Sequence, residues 1–114
     1  MNEQEKLLES NGLEYYRNGL VAEKRGEYNT SVTLFFKAIA SLCDLQILRD
    51  KGHFPSNHSE RFRILERDYP DLYIKIDGDF LLYQRSYRLR LDKPTSEVLK
   101  HDVETLFKKL RINF

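Results

Sequence analysis

The chain has 114 residues, 40% apolar and 32% charged, with 19 Lys and Arg against 18 Asp and Glu. This is the make-up of one globular domain over residues 1–114, long enough to bury roughly two-thirds of its unfolded surface. The net charge of +1 argues against a globally basic nucleic-acid binder and leaves room only for a local basic patch. The one cysteine, Cys43, cannot form an internal disulfide. In its apolar run it is expected to be a small buried hydrophobe in a reducing cytosol.

The start, MNEQEKLLES, is polar and acidic and does not read as a signal peptide. No apolar run is expected to approach the roughly 18 residues of a membrane span. The expectation is a cytoplasmic chain with no membrane contact. A first helix is predicted from about Gln4 to Arg25. Leu13, Tyr16 and Leu20 share a face with Leu8, Tyr15 and Ala22. Gly12 and Gly19 lie on that side, each costing about 1 kcal/mol of helix propensity relative to Ala, tolerable if another backbone approaches closely. Lys24-Arg25-Gly26 is a stop signal, with cations in the last turn and then a glycine.

Asn29 or Thr30 can cap a second helix running to about Lys51. One stripe holds Val32, Phe35, Phe36, Ile39, Leu42 and Cys43; another holds Leu34, Ala38, Leu45 and Leu48. A helix apolar on two sides needs cover on two sides, so this is expected to be the central helix, with a partner subunit supplying the second cover and making a homodimer. Gly52 and Pro55 then break the pattern. Asn57 and Glu60 have capping-box spacing and open a short third helix to about Arg67. Pro70 opens a fourth, with Ile76, Phe80, Tyr83 and Tyr87 on one face, weakened at Gly78 and ending near Asp92. Thr95 or Ser96 caps the last helix, which carries Leu99, Val103, Leu106 and Leu110. No strand alternation competes. The predicted class is all-α.

The joint RGEYNTSVTLFFKAIA is similar to that of a tetratricopeptide repeat, and also to MIT domains, which are three-helix adaptors. A repeat needs about three copies; about 34 residues beyond Gly26 and Tyr28 stand Glu60 and Phe62, with no second joint. A solitary protein–protein adaptor of this kind stays as an alternative. The chain as a whole resembles the HEPN family, small prokaryotic helical bundles often paired with nucleotidyltransferases. GEYNTSVTLFFKAIASLCDLQIL matches a long second helix after a Gly-x-Tyr turn, and KGHFPSNHSERFRIL a glycine-bounded loop with a histidine. RLRLDK is similar to the family's Arg-x-x-Ala-Asp-Tyr run, departing from it at Leu91 and Lys93; TSEVLKHDVETLFKKL matches the closing helix. The resemblance implies a four-helix up-and-down bundle with an additional short helix.

Active HEPN ribonucleases follow an arginine by a histidine within about six residues, a group able to move a proton near neutral pH. None follows Arg85, Arg88 or Arg90 at that spacing, so the expectation leans away from an enzyme. A metal-independent ribonuclease with a degenerate site, using Arg88 and His58 or His101, is the alternative. Arg85, Tyr87, Arg88, Arg90 and Asp92 are the candidate RNA- or nucleotide-binding residues. The plainer reading is a solvated face with Arg88 paired to Asp92 four residues on. Lys37, Ser41 and Asp44 form one polar stripe on the second helix, either the wall of a cleft against the fourth or simply an exposed face. His58, matching the family's loop histidine, joins this possible cleft and is expected to hydrogen-bond at the start of the third helix. No ligand spacing for metal is present, and no cofactor is expected. The resemblance implies a binding protein that contacts RNA or a nucleotide, or the partner of a nucleotidyltransferase in a toxin–antitoxin-like pair.

Overall fold

The computed structural model describes residues 1–114 as five helices with no strand: α1 (Glu3–Lys24), α2 (Tyr28–Lys51), α3 (His58–Asp68), α4 (Pro70–Arg85) and α5 (Lys93–Leu110). The Asn2 side chain caps α1 by accepting from the Glu5 amide at 2.8 Å. At its other end the Gly26 amide bonds to the Glu23 carbonyl and the Glu27 amide to that of Ala22, both at 3.0 Å. This pattern needs a left-handed residue, and Gly26 supplies it at φ +75°. The tight turn folds α2 back along α1.

Close approach explains the two costly glycines of α1. A Cβ at Gly19 would sit 2.5 Å from the Phe35 ring, and one at Gly12 would sit 2.8 Å from Leu42. The expectation of a close-packed partner holds, but side chains of α2 rather than its backbone fill the gaps.

α2 is the central helix. α1 and α5 lie against it most extensively, and α4 also packs on it, while α3 packs on α4. Phe35, Ile39, Leu42, Leu45 and Ile47 are inaccessible to solvent, and Ala38 and Leu48 of the second stripe are buried too. The two-sided cover that suggested a second subunit is supplied largely by the chain's own helices α1, α4 and α5. By length and composition α2 could also cross a membrane, with a mean hydropathy of 1.5 over its most apolar 18 residues. This corrects the expectation that no run approaches a span. Of that window 72% is buried inside the protein, as in a core helix.

Three boundaries differ from expectation. α2 begins after Glu27, which makes no side-chain cap, so neither Asn29 nor Thr30 is the cap. α4 passes unbroken through Gly78 but stops at Arg85, not near Asp92. Asp92, not Thr95 or Ser96, caps α5, accepting from the Thr95 amide at 3.1 Å and its hydroxyl at 2.6 Å.

Between α4 and α5 two carboxyl groups are buried together, Asp79 at 3% exposure and Asp102 at 6%. Lys75 reaches only Asp102, at 3.9 Å, and Oδ2 of Asp79 has no hydrogen-bond partner. Burial, then the hydrogen bond and charge of Asp102, push Asp79 far above the usual carboxylate range.

Candidate binding cleft

The polar stripe of α2 does not all face solvent. Lys37 is exposed, but Ser41 and Asp44 are buried, and all three line a cleft of about 540 Å³ walled by α1 and α4 and floored by the start of α3. The Ser41 hydroxyl donates to the Leu8 carbonyl of α1 at 2.8 Å, tying α2 to the α1 wall. Asp44 meets Arg61 of α3 side-on, Nε to Oδ1 at 2.7 Å and Nη2 to Oδ2 at 3.0 Å. Burial raises the Asp44 carboxyl above its ordinary range, while the Arg61 contacts pull it down. Such a pair is costly to break from one side, because it leaves a buried charge alone.

His58 lies beside this pair. An arginine can only donate, so the 3.2 Å contact from Arg61 Nη1 makes Nδ1 the acceptor and puts the imidazole proton on Nε2. Burial, then the Arg61 charge, lower its pKa from the ordinary histidine value, which favours the neutral ring. Phe80 and Phe62 enclose it at 4.4 and 4.5 Å between centroids, and Nε2 is shut off from solvent with no hydrogen-bond partner. The expected local bond at the start of α3 is thus present, as an acceptance from Arg61. From Phe80 a ladder of rings continues toward the end of α4. Phe36 stacks on Tyr83 at 4.9 Å and 8°, and the Tyr83 and Tyr87 hydroxyls are 2.9 Å apart. Tyr87 ends the ladder at 73% exposure.

Tyr87 belongs to both candidate sets, because it lines the cleft and stands among the arginines. Those arginines do not lie on one helix face. Arg85 is the last residue of α4, and Arg88 and Arg90 fall on the segment after it. All three are exposed and none makes an ion pair. Asp92 does not pair with Arg88: its carboxylate is committed to Thr95, whose hydrogen bonds hold it below the usual range. Its place in the structure is that of a cap.

A single side chain organises the segment. Asn29, in the first turn of α2, donates from Nδ2 to the carbonyls of Ser86 (3.1 Å) and Leu89 (2.8 Å). It accepts through Oδ1 from the Leu91 amide at 2.7 Å. Sequence reasoning missed Asn29, Arg61 and Tyr83 as site residues. Asn29 and Arg61 find their partners across 17 or more positions in the chain, so no local spacing signals them. His53 and His101 are exposed, and no group of three or more His, Cys, Asp or Glu comes together as a metal site.

Compared with family models, with curated proteins and with solved structures, the chain matches none of them.

Proposed function

We propose that this chain is a HEPN-like binding protein, a four-helix up-and-down bundle with one additional short helix, that contacts RNA or a nucleotide without cleaving it. It would act in that way alone or as the partner of a nucleotidyltransferase in a toxin–antitoxin-like pair. The observation that carries this reading is the cleft between α1, α2 and α4. It combines an aromatic wall ending in exposed Tyr87 with Lys37 at the rim and the buried Asp44–Arg61 pair on the floor. Its volume of about 540 Å³ lies in the range of small-molecule sites. Rings that stack on bases next to unpaired cations suit a nucleotide's planar and anionic halves.

The state of His58 favours binding over catalysis. Its Nδ1 accepts from Arg61 and its Nε2 is enclosed, so neither nitrogen is free to move a proton to or from a substrate.

The test is equilibrium binding of labelled RNA and of mononucleotides at low and moderate salt. Binding that weakens with salt, and weakens further in Lys37→Glu, is expected, because each phosphate left without its cation takes roughly 0.7 from the logarithmic salt slope on a single strand. RNA recovered after incubation should be intact. No binding of RNA or nucleotide at low salt would overturn the reading; cleavage that disappears in a folded Arg88→Ala variant would restore the ribonuclease.

A further inference from the structure

The cleft is not isolated. A second depression, about 370 Å³, shares Tyr83 and Tyr87 with it and is lined by Thr33 and Leu34 of α2. A third, about 190 Å³, shares Asn29 and Thr30 with the second and contains Arg90. The three follow one another along α2, from Asp44 in the first to Tyr28 in the third. Those residues are 16 positions apart on one helix, which places them about 24 Å apart along its axis. One nucleotide would occupy only the first depression. The shape is a track.

We infer that the track takes a short single-stranded stretch of nucleic acid, one base stacked on Tyr87 and neighbouring nucleotides in the depressions on either side. This rests on the nucleic-acid reading above and specifies its occupant. Tyr87 is the ridge between the first two depressions, and its ring is both exposed and fixed. Its hydroxyl meets that of Tyr83, and the two rings pack edge-to-face at 5.7 Å. The three hydrogen bonds of Asn29 hold the segment carrying Tyr87, Arg88 and Arg90, so little ordering would be needed on binding.

Charge points the same way. Lys37 in the first depression and Arg90 in the third carry no ion pair, nor do Arg85 and Arg88 beside Tyr87. Two carboxylates line the track, Asp44, already paired with Arg61, and exposed Glu27 in the third depression. Bases must be unstacked and splayed to enter recesses between helices, which a single strand allows and a duplex does not.

The experiment measures fluorescence anisotropy of the full chain with a uridine mononucleotide, with single-stranded oligouridylates of about four and about eight residues, and with an RNA hairpin of matching length. Affinity should rise from the mononucleotide to about four residues and then level off, with the hairpin binding more weakly than the strand. Tyr87→Ala should weaken oligonucleotide binding roughly ten- to hundred-fold, the effect of losing one stacked base, while Tyr87→Phe keeps most of it. Unchanged helical circular dichroism would show both variants folded. A mononucleotide that binds as tightly as the oligonucleotides would overturn the track and leave nucleotide binding standing. Equal affinity in Tyr87→Ala, or equal affinity for the hairpin, would also overturn it. No binding of any probe would remove both readings.

Discussion

Replacing Asn29 by Ala tests whether one side chain holds the arginine-bearing segment in place. The carboxamide makes three hydrogen bonds to backbone groups of Ser86, Leu89 and Leu91, none to its own helix. Each neutral hydrogen bond contributes about 1 kcal/mol net, giving about 3 kcal/mol for the set. Water can replace part of this at a surface turn, and Ala restores about 0.5 kcal/mol of helix propensity. A loss of about 1–2 kcal/mol remains, while α2 itself persists because Asn29 is not its cap. In urea, with a slope of about 1–2 kcal/mol per molar, the midpoint should fall by roughly 1 M. Amide exchange gives the local readout: the Leu91 N–H should lose protection by more than the global loss of stability explains. Asn29→Asp separates shape from chemistry. It keeps the acceptor for Leu91 but sets an oxygen against two carbonyls, and should destabilise at least as much as Ala. A midpoint within a few tenths molar of the parent for both variants, with Leu91 still protected, would refute the reasoning.

Two further predictions concern stability alone. Asp79 has its pKa raised to about 9 by burial and by Asp102, so its contribution is fully present below its unfolded value near 4 and is lost as pH rises through about 9. The parent should therefore lose stability between about pH 5 and about pH 8, at most roughly 1.4 kcal/mol per pH unit, and Asp79→Asn should flatten that slope; parallel pH profiles of the urea midpoint would count against it. At the end of α5, Arg111 closes the helix at φ +60°, a left-handed position that favours glycine. Arg111→Gly should raise stability by about 0.5–1 kcal/mol in thermal or urea unfolding, and a loss would show that the arginine side chain matters more than the backbone.

The sequence by itself was enough for the all-α class, the five helices in order and the central place of α2. These depend on local signals: apolar spacing near 3.6, a glycine after Lys24-Arg25, a capping Asn57 and a proline opening α4. It also singled out Lys37, Ser41, Asp44, His58 and Tyr87, residues that the fold brings to one cleft. It could not choose between cleft and exposed face for the α2 stripe, because that depends on where α1, α3 and α4 land. Nor could it see that α4 stops at Arg85. The apolar spacing runs on through Tyr87, but Asn29, 57 residues before Ser86, captures the next carbonyl groups and turns the chain away. The alternative Arg88–Asp92 pair is not made, and Asp92 instead caps α5. The same distance hid Arg61, whose meaning depends on a carboxylate 17 residues earlier. Local periodicity determines which helices form; hydrogen bonds between residues far apart in the chain determine where they end and which polar groups face one another.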